Sequence, residues 1–263
     1  MSRTRPKTRS PFLILLLLTC REGIRQRLLL VLLGVMGVGL FLAGFAGSLA
    51  VTEAGELRSA FLGAFLRLSA ALLTALYVLH SQFREHQDKG LEWLLALPIS
   101  KTVYYFGKIS GYALLIGLMV LFFGTLLLFF APAGQVALWG VSLLLELGLV
   151  AAFSFLVQLS LRSLPAAFLV VLLFYLLSRS MASLQLVGQG VIMPQGGIFW
   201  SFSRSVLDGV AYLLPALERF TRSEWLAYAS GGWEDLLFVA LQGGSYLLLL
   251  AGASLIDLYR KNV

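Results

Sequence analysis

The sequence predicts an all-α polytopic membrane protein. Of its 263 residues, 59% are hydrophobic and only 13% are charged, a balance that soluble domains rarely reach because they need charged residues to cover their surfaces. Several apolar runs reach about 20 residues, the length that crosses the hydrocarbon core of a bilayer as a helix. Basic residues cluster at the ends of these runs, as expected at membrane edges.

Six apolar runs are long enough to span a membrane. The predicted spans are Leu28 to Ala50, Ala60 to Leu79, Tyr104 to Phe130, Val136 to Leu161, Pro165 to Val187 and Leu236 to Leu258. Glu53, Glu56 and Arg58 mark a short wet loop between the first two spans. We therefore expect a single transmembrane domain that covers residues 1–263.

Residues 1–27 precede the first span. Their apolar run, Phe12 to Leu18, is too short to cross a bilayer and leads into arginines instead of a small-residue cleavage site. This pattern favours a cytoplasmic tail followed by an interfacial elbow helix that lies flat on the membrane.

Basic residues give the orientation of the chain. Of the 20 lysines and arginines, 14 fall on the side that holds both ends of the chain. Because an excess of basic residues marks the cytoplasmic side, both termini are expected in the cytoplasm. Nucleic-acid binding is disfavoured, since the basic residues are not interleaved with aromatic residues on one face.

Residues 188–235 are moderately apolar but broken by glycines and prolines. A seventh span over Ile198 to Leu214 would place Arg204 and Asp208 in the hydrocarbon core. Each charge would cost about 2.5–3.5 kcal/mol of insertion free energy near a helix centre. We expect instead an outer-face element of short re-entrant or amphipathic helices before the last span.

Residues 84–103 form the most distinctive stretch of the chain. A charged half is followed by a short apolar half, which Pro98 ends because proline disfavours helical geometry in the residue before it. Such a segment can lie along the membrane and insert into a groove of a partner protein. An ordinary interfacial helix that joins spans two and three is the alternative.

This stretch resembles the second cytoplasmic coupling segment of the type-2 ABC transporter permeases. The matching residues are Glu85, Asp88, Gly90-Leu91-Glu92, Leu94-Leu95-Ala96-Leu97 and Pro98-Ile99-Ser100, without the threonine that the family has between glycine and leucine. The run Leu213 to Phe220 is similar to a stretch of the permeases associated with multicopper-enzyme maturation and gliding systems.

The resemblance implies the membrane subunit of an exporter in a bacterial inner membrane. Two copies of a cytoplasmic ABC ATPase would bind ATP and magnesium. The permease would pair with a second copy of itself to form a homodimer, and a periplasmic accessory protein is a possible further partner. Acidic residues would meet polar groups of the ATPase and apolar ones would fill its groove. The residues implied are Glu85, Asp88, Gly90, Leu91, Glu92, Leu94, Leu95 and Pro98.

The chain itself lacks the motifs of an enzyme or a cofactor site. Gly107-Lys108 has neither the preceding glycine nor the following Ser or Thr of a phosphate-binding loop. His80 and His86 have no metal-site spacing around them, so we expect no bound metal or cofactor. Two alternatives stay open: an intramembrane lipid-modifying enzyme, and a secondary carrier, which often shows an inverted repeat.

Three charged residues fall inside predicted spans, namely Arg67, Glu146 and Arg179. A charge at such depth is costly and usually pairs or lines a polar cavity. We expect Glu146 to pair with Arg67 or Arg179, within a protomer or across a dimer, and to help close the outer gate of a translocation path. A static ion pair that only fixes helix packing is the alternative.

Overall fold

A computed structural model of the chain describes residues 11–25, 28–49, 53–87, 100–161, 163–188 and 198–260. Within these ranges the chain forms nine α-helices, a 3₁₀ turn at Leu217–Arg219 and no strand. The helices are α1 (Pro11–Arg25), α2 (Leu28–Leu49), α3 (Ala54–Gln87), α4 (Lys101–Leu127), α5 (Ala133–Ser160), α6 (Leu164–Gly188), α7 (Ile198–Leu213), α8 (Ser223–Tyr228) and α9 (Trp233–Arg260). Six of them, α2 to α6 and α9, are long and apolar enough to cross a membrane. The predicted all-helical, multi-pass fold is therefore confirmed.

The bundle has two ends that differ in what they carry. At one end α4 begins beside the end of α9, where Lys101 Nζ donates a hydrogen bond to the Leu258 carbonyl at 2.9 Å, and α1 packs nearby. We call this the terminal end. The distal end, opposite to it, carries the start of α3, the turn between α4 and α5, and the short helices that precede α9.

Both ends of α3 lie beyond the predicted second span. Helix α3 begins at Ala54, where the Leu57 amide already bonds to the Glu53 carbonyl at 3.0 Å, so Glu56 and Arg58 of the expected wet loop lie in the helix and Glu53 directly precedes it. It also continues to Gln87, which makes the start of the 84–103 stretch helical. Hydropathy marks where a helix leaves the hydrocarbon core, whereas backbone hydrogen bonding continues beyond that point.

Helix α5 is the centre of the bundle. It packs against α3, α4, α6 and α9, and large side chains such as Trp139 and Phe155 are fully buried on it. Few side chains of α2 and α9 are buried, and their exposed side chains are mainly apolar, as expected for helices that contact lipid or another protein. Close packing, which gains dispersion energy, holds such helices together because lipid is as apolar as their side chains.

Helix α1 packs directly across α4. A Cβ atom on Gly111 would lie 2.6 Å from Cβ of Thr19, so glycine is what allows the two helices to approach so closely. Tyr77 on α3 donates a hydrogen bond to the Thr19 carbonyl at 3.0 Å. The elbow is thus bound to the bundle, and its position at the membrane surface stays a prediction. The tail before Pro11 lies outside the described residues.

The stretch predicted as an outer-face element contains short helices within its described part. Helix α7, over Ile198–Leu213, is followed by the 3₁₀ turn and by α8. Helix α8 ends at Ala229, whose left-handed φ of 52° reverses the chain before α9. Among the described helices α7 is not one of those long enough to span, so a seventh span is not required.

Candidate functional site at the distal end

Residues 214–222, which we call the distal segment, enter the bundle between α3, α5 and α6. Leu217 and Phe220 are completely buried. They are three residues apart across the 3₁₀ turn, a spacing at which side chains lie on the same side of the helix. The distal segment therefore inserts one apolar face into the bundle.

Glu146 of α5 lies beneath the distal segment and is fully buried. Its carboxylate accepts a hydrogen bond from Tyr175 Oη at 3.0 Å and from Thr221 Oγ1 at 2.5 Å. The Arg179 guanidinium is its nearest cation, with Nη1 3.9 Å from Oε2. Two charge-assisted hydrogen bonds and one cation compensate a charge that would be very costly to bury alone.

Thr221 is the residue through which the distal segment contacts α5. Its φ of 48° is left-handed, a conformation that costs a β-branched residue of order 1–3 kcal/mol and persists only where the surroundings enforce it. The Thr221 amide donates to Ser142 Oγ at 2.8 Å, and its carbonyl accepts from Arg67 Nη1, also at 2.8 Å. Backbone and hydroxyl of Thr221 are thus bonded to both α3 and α5.

The two arginines bind the backbone of the distal segment. Arg179 Nη1 donates to the carbonyls of Leu217 and Phe220, the latter at 2.8 Å. Arg67 donates to the carbonyl of Thr221. Of the two arginines proposed as partners of Glu146, the structure therefore places Arg179 beside it, while Arg67 contacts the segment.

The arrangement connects four parts of the chain: α3, α5, α6 and the distal segment. Its Glu146 carboxylate is fully buried, and both of its oxygens accept hydrogen bonds from side chains. What it can do is hold the distal segment in one position. Separation of the distal segment from the bundle would break all these contacts together.

Three members of this network were missed in the sequence: Ser142, Tyr175 and Thr221. Ser142 and Tyr175 each precede a predicted charge by four residues, the spacing that places two side chains on one face of a helix. That spacing was a usable signal. No signal in the sequence identifies Thr221, since its role depends on the path of the distal segment.

A second polar network lies at the terminal end. Glu85 accepts a hydrogen bond from Tyr104 Oη at 2.9 Å and forms an ion pair with Lys108, whose side chain is almost completely buried. On the neighbouring face, Glu22 of α1 pairs with Arg84 and accepts from Ser81 Oγ at 3.2 Å. These contacts connect α1, α3 and α4 where α3 ends and α4 begins.

Glu85 is thus the one member of the predicted ATPase-coupling set that the structure describes. The others, Asp88, Gly90, Leu91, Glu92, Leu94, Leu95 and Pro98, lie outside the described residues. Directly after them, Ser100 caps α4, and its hydroxyl accepts the Val103 amide at 3.3 Å.

Among the described residues, no three His, Cys, Asp or Glu side chains are grouped to hold a metal ion. No protein-family model matches the chain, and no curated protein matches it either.

Proposed function

We propose that the chain is the membrane-spanning subunit of an exporter powered by a separate cytoplasmic ABC ATPase. The observation that carries this proposal is the stretch 84–103, with its charged half, its apolar half and its terminal proline. It connects α3 to α4 at the end of the bundle where α1 and the end of α9 also lie.

The surroundings of this stretch support a role in force transmission. The ion pairs Glu85–Lys108 and Glu22–Arg84 join α3 to α4 and to α1. A force applied where α3 ends or where α4 begins would therefore be passed to three helices together. Such linked helices suit a coupling role, because an isolated helix end would absorb the motion.

We further propose that the terminal end faces the cytoplasm of a bacterium, across its inner membrane. The excess of basic residues at that end supports this orientation. Two ATPase copies and a second permease copy would complete the exporter, and ATP and magnesium would bind to the ATPase alone.

In this proposal Arg67, Glu146 and Arg179 keep the distal end closed between transport steps. Their contacts with the distal segment support such a role. An intramembrane enzyme finds less support because Glu146 is buried and hydrogen-bonded. A secondary carrier would move its substrate without any ATPase, so the same experiment separates it from the exporter.

The test is charge reversal at Glu92. The permease and the ATPase with which it co-purifies are reconstituted in nanodiscs, and ATP hydrolysis is compared between the wild-type chain and Glu92→Lys. We expect at least a severalfold loss of ATPase stimulation with unchanged folding, since a solvated surface charge contributes less than about 0.5 kcal/mol to stability. Glu53→Lys, an exposed acid at the distal end, is the matched control and should keep full stimulation. Failure of any ATPase to co-purify, or equal stimulation in both variants, contradicts the proposal.

A further inference from the structure

A polar cavity of about 470 Å³ opens at the distal end beside the distal segment. Its lining is polar throughout: Arg67, Arg179, Glu218, Arg222, Ser223 and Glu224. By contrast, the large cavity between α4 and α5 is lined almost entirely by aliphatic side chains and glycines. Glu224 is exposed, so the polar cavity can be reached from the surface.

Three guanidinium groups and two carboxylates line this cavity. Each guanidinium has five N–H donors, and the bonds that Arg67 and Arg179 make to the distal segment use only Nη1. The Arg222 side chain makes no hydrogen bond or ion pair with the residues that the structure describes. The cavity therefore has a surplus of donors suited to an anionic group.

Glu218 contributes a hydrogen-bond acceptor, in contrast to the donors of the arginines. Its Oε2 atom is buried and accepts no hydrogen bond within the described chain. Because Oε2 is closed to solvent, a ligand in the cavity would meet the Glu218 carboxylate at its other oxygen. A ligand that presents an N–H or O–H group next to its anion would then satisfy both the arginines and this carboxylate.

Size and preorganisation agree with a small organic ligand. A volume of about 470 Å³ lies in the range of small-molecule sites, roughly 300–1,000 Å³. Two of the three arginines are held in place by backbone carbonyls, so little side-chain entropy would be lost on binding.

We propose that this cavity binds an organic phosphate or carboxylate that carries a neighbouring hydroxyl or amino group. The arginines hold the anion, with bidentate contacts where the geometry allows, and Glu218 accepts the neighbouring donor. A lipid headgroup and a soluble metabolite can both present this chemistry. The site does not depend on the exporter function, because its residues lie in this chain alone.

Arg222→Gln is the test variant, since the Arg222 side chain lines the cavity and makes no bond within the described chain. Arg219→Gln is its matched control: it removes the same charge three residues away, from a guanidinium that lies over the Phe238 ring at 4.7 Å and not in the cavity. Arg222→Lys, which keeps the charge but loses the planar fork, is made in parallel.

Binding is measured on the purified permease without any ATPase, in two arms. In the first, retention of phosphatidylglycerol from mixed phosphatidylcholine nanodiscs is measured by native mass spectrometry. In the second, glycerol 3-phosphate is titrated by calorimetry in nanodiscs of phosphatidylcholine alone. Binding in the first arm only identifies a lipid headgroup as the ligand, and binding in the second identifies a soluble anion.

In the arm that shows binding, we expect Arg222→Gln to weaken affinity at least about tenfold, Arg222→Lys to weaken it less and Arg219→Gln to leave it unchanged. Glu218→Ala should weaken it as well. Absence of binding in both arms, or equal losses in the Arg222 and Arg219 glutamine variants, overturns the proposal. An ATPase that fails to co-purify leaves this result intact, so the two proposals fail separately.

Discussion

Replacing Glu146 by glutamine should lower the free energy of unfolding, and the contacts of Glu146 give the size of the loss. Charge-assisted hydrogen bonds contribute about 1.5–3 kcal/mol and neutral ones about 0.5–1.5 kcal/mol, so the bonds from Tyr175 and Thr221 should each lose roughly 1 kcal/mol. Arg179 lies 3.9 Å away and keeps two backbone carbonyls as acceptors. The loss should therefore stay below the roughly 3–5 kcal/mol typical of a broken buried ion pair. We expect about 1–3 kcal/mol.

This loss can be measured as a shift in melting temperature of the purified permease in detergent. For a chain of this size 1 kcal/mol corresponds to about 2–4 °C, and unfolding half-lives replace melting temperatures if unfolding is irreversible. Glu234→Gln, an exposed acid at the start of α9, should change stability by less than about 0.5 kcal/mol. Equal melting temperatures of Glu146→Gln and the wild type would refute the reasoning.

A double variant, Glu146→Gln with Arg179→Gln, separates packing from gating. The cycle of single and double variants gives the coupling energy of the pair, which for residues in contact is about 0.5–3 kcal/mol. If the double variant both folds and transports like the wild type, the pair is structural and the gate proposal is wrong. If it folds and transports poorly, the charges act in the path.

Two further outcomes are expected at the terminal end. Lys108→Met removes the cation paired with Glu85 and should lower the free energy of unfolding by about 1–3 kcal/mol, measured as a shift in melting temperature. The double variant Lys108→Met with Glu85→Gln should recover part of this loss. No recovery would mean that the ion pair is not formed. Burial raises the pKa of the Cys20 thiol, so less reactive thiolate is present at neutral pH. Maleimide labelling of Cys20 should therefore increase with pH around a midpoint above that of free cysteine, and a midpoint at or below the free value would contradict its burial against α4.

The sequence was sufficient to predict the helical spans because each one contains an apolar run of membrane length. The ends of the helices were less predictable. Glu56 and Arg58 were assigned to a loop, yet they lie near the start of α3, because a helix continues into the aqueous layer wherever its backbone bonds are made. The same reason places Glu85 on α3 and within reach of Lys108.

Buried charges could be predicted as a class, but the sequence could not decide which of two arginines lies beside Glu146. Glu146 and Arg179 are distant in the sequence, and their approach depends on how α5 and α6 pack. Arg67 is an example. Its depth in the span made it as good a candidate as Arg179 for the partner of Glu146, whereas in the structure its Nη1 atom lies 2.8 Å from the Thr221 carbonyl oxygen.

The contacts that hold the distal segment explain why its role was invisible in the sequence. Arg67 and Arg179 bind carbonyls of Leu217, Phe220 and Thr221, and every amino acid has a carbonyl. The arginines thus recognise the path of the backbone and not the side chains along it. Thr221 is the exception, since its hydroxyl donates to Glu146 and its left-handed backbone is held by the same contacts. Within the distal segment, side-chain identity therefore matters most at Thr221 for polar bonding and at Leu217 and Phe220 for burial.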